Sequence, residues 1–443
     1  MFDIWGSGFR NCDRISRRNL LKIGSLVFGG AALGERFRDG AVAGTHAYGV
    51  VDTAVIQVFL GGGPSHIDMF DLKPNAPAEI RGEFNEISTN VPGIRISEHL
   101  PMLAAVMDKM SIVRSVTHTD SSHLPSSHWL QTGFTANNAV AGHNLYPSTG
   151  SITARMRGPN APGLPAYVAV PRCQAFAYSA YLGEAYNPFT TDIDPNDENF
   201  YVPNLRLVKG ISHDRLKHRG ELLKKLDGLR HSFDASGDLA GLDRFNHDAI
   251  NMITDPKTAQ AFDIRRESSQ VRERYGRTGI GQNCLLARRL VEAGVTYVSC
   301  LSGGGWDTHA NNFRDLKQTT LPRLDRAISA LISDLHDRGL DKRVLVNVMG
   351  EFGRTPKINK DAGRDHWPGA MCVLFSGGGL KMGQMIGATD KHAAFPTSKP
   401  FSPSDILATI YHVLGIDWRR AFHDRSRRPI PILSQGEPIA DLI

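Results

Sequence analysis

The chain has 443 residues, 41% hydrophobic, 22% charged and 8% aromatic, which excludes a disordered, collagen-like or disulfide-dense protein. No apolar run reaches the roughly 18 residues that a membrane span needs, so a multi-span membrane protein is excluded as well. The net charge is +6, but residues 1–43 hold seven Lys/Arg against four acids, and the mild +3 that remains gives no reason to expect nucleic acid as a partner.

The chain opens on Ser16-Arg17-Arg18-Asn19-Leu20-Leu21-Lys22, a twin-arginine pattern. A weakly apolar, glycine-containing stretch from Ile23 to Gly34 follows, then Ala41-Val42-Ala43 as small residues for a signal-peptidase cut. Residues 1–43 are therefore expected to be a leader read by the twin-arginine export machinery. The mature chain, 44–443, is expected in the periplasm or at the cell surface of a bacterium, without a transmembrane segment. Export in the folded state hints at a preloaded metal. Cys173, Cys284, Cys300 and Cys372 remain after cleavage, with no CxxC spacing; Cys284 in a helical pattern and Cys300 and Cys372 in apolar strand patterns are expected as buried free thiols.

Apolar, β-branched runs at Ala54–Leu60, Ser111–Val116, Val295–Cys300, Val344–Met349 and Met371–Phe375 predict buried strands. Residues 157–202, rich in Pro, Gly, Tyr and Asn, predict long surface loops that could line a site. From about 203 to 281 the charged, helical pattern predicts a helical insertion. Its basic cluster from Lys217 to Lys225 reads as a solvated helix face. Leu285, Leu286, Leu290 and Ala293 predict a helix closed by Gly294, and Leu321, Leu324, Ile328, Leu331 and Leu335 another, stopped near Gly339. Helix, glycine and strand repeated in this order predict an α/β fold, a three-layer α/β/α sandwich with a mostly parallel central sheet.

The polar residues gather where strands end, which is where open α/β sheets place their sites. The first strand runs into Gly61-Gly62-Gly63-Pro64-Ser65-His66-Ile67-Asp68. A later one opens into Gly305-Trp306-Asp307-Thr308-His309, where Asp307 and His309 would point the same way from extended backbone. Gly350-Glu351-Phe352-Gly353-Arg354-Thr355 and Gly363-Arg364-Asp365-His366 follow another strand. Asp, His and Glu delivered by separate strand ends suit a divalent cation such as Zn, Mn, Mg or Ca, with no thiolate needed. The stretch from Arg114 to Gly133 carries His118, His123 and His128 at steps of five, which cannot share one helix face. Its Ser and Thr residues suit either helix capping or anion binding at a helix start.

These residues together resemble a known family. Gly62-Gly63-Pro64-Ser65-His66-Ile67-Asp68, Leu290-Val291-Glu292-Ala293-Gly294-Val295, the Trp306-Asp307-Thr308-His309 run, Glu351-Phe352-Gly353-Arg354-Thr355 and Asp365-His366 resemble the bacterial exported family called domain of unknown function 1501. That family is related to the alkaline phosphatase and sulfatase superfamily. The resemblance implies an alkaline phosphatase-like domain with one or two metals that hydrolyses phosphate or sulfate esters. It implies metal ligands at Asp68 assisted by His66, at Asp307 and His309, and at His366 with Asp365 beside it. Glu351 and Phe352 would stand for a later Asp-His dyad, losing its histidine. The sulfatase nucleophile motif aligns with His123-Leu124-Pro125-Ser126-Ser127-His128, so His123 occupies the nucleophile position and Ser127 replaces an arginine. Formylglycine cannot form from His. Attack by histidine, by Thr119, Ser121 or Ser122, or by metal-activated water all stay open.

The resulting expectation is an exported metal-dependent hydrolase of phosphate or sulfate esters, its partners an anionic ester or sulfated polysaccharide. Arg354 or Arg114 would clamp the anion, and His123 or His128 would act as general acid or base. The alternative is a catalytically inactive sulfatase-like scaffold that binds a surface polysaccharide or an envelope partner.

Overall fold

The computed structural model describes residues 52–136, 138, 140, 143–205, 252 and 255–443; the expected leader at 1–43 and the basic cluster near Lys217 lie outside them. The five predicted apolar runs fall in a sheet of eight strands: β1 (Ala54–Phe59), β2 (Ser111–Val116), β3 (Tyr167–Val170), β4 (Phe189–Thr190), β5 (Tyr297–Leu301), β6 (Val344–Met349), β7 (Met371–Gly377) and β8 (Gln384–Ile386). Their order is β8-β2-β7-β6-β1-β5-β3-β4. β1 pairs parallel with both β5 and β6, while β7 is antiparallel to β6 and β2. All strands but β7 therefore run one way. The loops after β1, β2, β5 and β6, and the segment leading into β7, meet at one edge of the sheet. β3 and β4 fall in the stretch expected as loops. The four-residue run of β3 ends at Pro171 among turn-forming residues, too short for its period to register.

Helices cover both faces: α1 (His123–Thr132), α2 (Thr149–Arg157), α3 (Gly279–Ala293), α4 (Leu321–Asp337) and α5 (Pro403–Val413). Because strand side chains alternate, Ile56 and Val58 of β1 pack with Leu286, Leu290, Leu324 and Ile328 of α3 and α4. Val55 and Phe59 pack in a separate cluster with Leu130, Ile152, Ile406 and Ile410 of α1, α2 and α5. The three-layer sandwich is present as expected. Gly294 ends α3 at φ +119, donating to the carbonyls of Leu290 and Val291, and a Cβ there would lie 2.4 Å from that of Ala161. Within the expected insertion, the described residues include helices Pro256–Phe262 and Ser269–Tyr275. Cys284, Cys300 and Cys372 are buried free thiols and Cys173 is partly exposed.

Two buried carboxylates hold segments to this frame. Asp68, just past β1, takes Arg364 Nε on Oδ2 at 2.8 Å and Arg364 Nη2 on Oδ1 at 2.9 Å, with Ser65 and Asn312 also donating to Oδ2. Asp325 of α4 accepts the backbone N–H groups of Met102 at 2.9 Å and Leu103 at 2.7 Å. We expect Asp68→Ala to destabilise the fold by about 3–5 kcal/mol, since it leaves the Arg364 charge buried and unpaired; denaturant unfolding measures this. Burial pushes the Asp325 carboxyl up to about 6, against the two N–H bonds. A raised carboxyl stabilises the fold below its ordinary range and loses that contribution as pH climbs through about 6. Relative to Asp325→Asn, the native chain should therefore lose roughly 2–3 kcal/mol between pH 4 and pH 7. Parallel pH profiles of the two proteins would refute the assignment.

Candidate metal centre

The site forms at the shared edge of β1, β2, β5 and β6. Gly62, after β1, stands at φ +121, where a Cβ would lie 2.7 Å from the Asp307 nitrogen; only glycine lets the β1 and β5 loops approach this closely. Its N–H donates to both oxygens of Glu351, at 2.8 and 3.1 Å. Glu351, after β6, is 2% exposed, and its Oε1 lies 2.6 Å from Nδ1 of His123, the first residue of α1. Its carbonyl accepts from His118 Nε2 at 2.7 Å.

Three histidines share one arrangement. His123 Nδ1 faces Glu351, His309 Nδ1 lies 2.7 Å from Asp365 Oδ1, and His366 Nδ1 lies 2.8 Å from the Ser121 carbonyl. A carboxylate or carbonyl oxygen can only accept, so each Nδ1 carries the proton, and wherever the ring is neutral its Nε2 lone pair turns inward. All three Nε2 atoms meet Asp307. His309 and His366 are each 3.1 Å from its Oδ1, and His123 is 3.3 Å from its Oδ2. The His309 and His366 Nε2 atoms are 3.0 Å apart.

Two nitrogen lone pairs and a carboxylate oxygen at mutual distances of 3.0–3.1 Å repel one another unless a cation, proton or metal, sits among them. Tetrahedral coordination at about 2.0–2.1 Å would space the donors by roughly 3.3–3.4 Å, slightly wider than this triangle. Each ligand-side imidazole also has the acceptor on its far nitrogen that metal-bound histidines have. The residues fit a metal. His123, Asp307 and His366 in turn offer atoms that all lie within 4.8 Å of one another. Burial opposes ionisation of Asp307, but Arg354 at 2.5 Å and the imidazoles hold its carboxyl far below the usual range. Glu351 raises the His123 imidazole, whereas burial lowers that of His366. His309 holds the Asp365 carboxyl down.

The structure brings His123, Asp307, His309, Glu351, Asp365 and His366 together and sets the other expected residues apart. Asp68 has both oxygens occupied by Arg364, Ser65 and Asn312, so it is no free ligand. His66 is buried with Nε2 on the Ala393 carbonyl at 2.8 Å, and burial lowers its pKa. His128 points into the core, its Nδ1 on the Phe134 carbonyl at 2.8 Å. Arg354 is fully buried, with Nε on the Gly63 carbonyl, Nη1 on that of Arg364 and Nη2 on that of Gly62 and on Asp307. Its guanidinium is thus a strut between loops, with no face open to an anion. Arg114 is likewise engaged, with the Gly387 carbonyl and Asp71. Phe352, at the position of an expected histidine, lies with its ring centre 5.0 Å from that of His123 and 4.5 Å from that of His366.

Sequence reasoning missed the Ser121 carbonyl and Asn359, which donates to the His309 carbonyl at 2.9 Å and to Asp365 at 3.3 Å. A carbonyl carries no residue signature. The Asn359 to Gly363 turn is closed by its own hydrogen bonds and reads as an ordinary loop.

No curated protein matches the chain. Among solved structures, a phosphonate monoester hydrolase from Silicibacter pomeroyi is 11% identical over 87% of this chain and 76% of its own, with a TM-score of 0.40. TAB5 alkaline phosphatase is 14% identical over 83% and 99%, with a TM-score of 0.35. A 2-O GAG sulfatase is 12% identical over 88% and 73%, with a TM-score of 0.34. Likenesses this distant carry no statement about activity. Residues 52–443 match the model described as protein of unknown function DUF1501, and the chain belongs to that family.

Proposed function

We propose that the chain is an exported metal-dependent hydrolase of phosphate or sulfate monoesters. The observation that carries the reading is the triangle of His309 Nε2, His366 Nε2 and Asp307 Oδ1, with the His123–Glu351 pair on the other oxygen of Asp307. Asp307, His309 and His366 would hold the ion, which when bound supplies Lewis-acid polarisation of the ester oxygen and acidifies water. Two nitrogens and one oxygen favour Zn or Mn over Mg or Ca, which prefer all-oxygen shells.

The chain's own residues supply the rest. Asp365 and the Ser121 carbonyl fix the rings of His309 and His366. Glu351 keeps the proton on Nδ1 of His123 and orients its Nε2, which lies beside Asp307 Oδ2 at 3.3 Å, to take a proton from attacking water or, as imidazolium, to give one to the leaving alcohol. With Arg354 and Arg114 engaged elsewhere, the His123 imidazolium also takes over attraction of the ester anion. His123 acts here as acid and base, which leaves no role for the covalent nucleophile of sulfatases. The twin-arginine pattern and the small residues at 41–43 support export to the periplasm, with a sulfated polysaccharide or other anionic ester as the substrate met there. No helix among the described residues is long and apolar enough to cross a membrane.

Elemental analysis of the purified full chain, dialysed against zinc or manganese, should find about one ion per chain. Asp307→Ala and His309→Ala should lose it with unchanged circular dichroism; retention in both would refute the ligand assignment. His123→Ala should keep the ion while hydrolysis of p-nitrophenyl phosphate or sulfate falls by about 10²–10⁴-fold. Loss of the ion in that variant would instead place His123 among the ligands. Metal uptake without hydrolysis of either ester by the native chain would favour the binding scaffold.

A further inference from the structure

On the sheet face away from α3 and α4, the apolar pattern is broken in register. β1 carries Gln57 between Ile56 and Val58, β6 carries Asn347 between Val346 and Val348, and β5 carries Ser299. Gln57 pairs with Ser299 on one side and with Asn347 on the other, so three adjacent central strands place a polar residue in one row. Strand alternation puts this row on the face of Val55, Tyr297 and Leu345, beneath α1, α2 and α5. All three residues are buried, Gln57 and Asn347 completely.

Partners for these groups are too few. Gln174 Nε2 donates to Gln57 Oε1 at 3.2 Å, which leaves Gln57 Nε2 and Gln174 Oε1 with none. Asn347 Oδ1 and the hydroxyl of Tyr297 have no partner, nor does Gln131 Nε2 from α1. These groups adjoin one another. Tyr297 is pushed up by burial and by nearby Tyr167 and Tyr411, and Tyr167 reaches Ser299 at 3.4 Å. The Tyr411 hydroxyl bonds to Thr149, which donates to the Gln131 carbonyl at 3.1 Å. An unpaired buried polar group costs about 1–3 kcal/mol, so five such atoms in one layer would be a heavy burden on a fold of ordinary stability.

We infer that this layer is a built hydration site: an ordered cluster of water, sealed between the sheet and α1, α2 and α5, completes the hydrogen bonds of Gln57, Gln131, Gln174, Tyr297 and Asn347. The donor set identifies the occupant. It mixes donors (the Gln57 and Gln131 amide nitrogens) with acceptors (Gln174 Oε1, Asn347 Oδ1) and the Tyr297 hydroxyl, which serves as either, and none of the five carries a formal charge. An anion or a cation would find about half of these groups opposed to it; water satisfies both kinds. At about three hydrogen bonds per buried water, five atoms call for on the order of two molecules. The cluster is independent of the metal centre and of any reaction there.

A high-resolution crystal structure of the full chain tests this directly, together with oxygen-isotope magnetic relaxation dispersion in solution. The expected result is ordered water bonded to Gln57 and Asn347, and a long-lived water signal that shrinks in Asn347→Leu. A dry layer in which these side chains bond directly to one another would overturn the inference, and so would density for a molecule other than water. An unchanged signal in a folded Asn347→Leu would also count against it. If that variant does not fold, Gln131→Leu, on a covering helix, carries the same comparison.

Discussion

A guanidinium shut away from water must find acceptors for its N–H groups, and Arg354 finds them in three of the segments that build the candidate metal centre. Gly62 and Gly63 belong to the β1 loop, Asp307 to the β5 loop, and the Arg364 carbonyl to the segment that carries Asp365 and His366. Arg354 itself lies just after β6, and the short antiparallel ladder of Gly353–Arg354 with His366–Trp367 ties the last segment back. One residue thus sets the relative positions of four chain segments far apart in sequence. Arg364 repeats the device a layer deeper through Asp68 and the carbonyls of Ile80, Thr355 and Pro356. A charge buried this way does more to fix geometry than to add stability.

The chemistry of the centre follows from that geometry. With the loops fixed, Asp307 stands where three imidazoles converge, and each imidazole is set in one tautomer by an oxygen on its far side. Glu351, held by the Gly62 N–H and in contact with His123, links the β1 and β6 loops to the start of α1. The two carboxylates differ in role because their surroundings differ. Asp307 faces imidazole lone pairs and a guanidinium, while Glu351 faces an N–H and a protonated ring nitrogen.

Much of the fold was legible because buried parallel strands are written as continuous apolar runs: Ser111–Val116 and Val344–Met349 have the predicted limits. Short strands such as Phe189–Thr190 were not, since two residues carry no period. For the centre, strand-end placement found Asp307, His309, Glu351, Asp365 and His366. It could not separate a residue facing the cluster from one folded beneath it. His66 and Asp68 sit at a strand end too, but the short helix His66–Met69 turns them into the core. Arg354 looked like an anion clamp because a sequence does not show that its partners are backbone carbonyls. The row of Gln57, Ser299 and Asn347 was invisible for a related reason: each is a single polar residue within an apolar run, and only strand register aligns them.

The claim that Asp307, His309 and His366 form a metal centre is tested most directly by X-ray absorption spectroscopy of the zinc-loaded full chain. A shell of nitrogen and oxygen at about 2.0–2.1 Å, with the outer scattering of at least two imidazoles and no sulfur, is the predicted result. A shell of oxygen alone, or one containing sulfur, would contradict it.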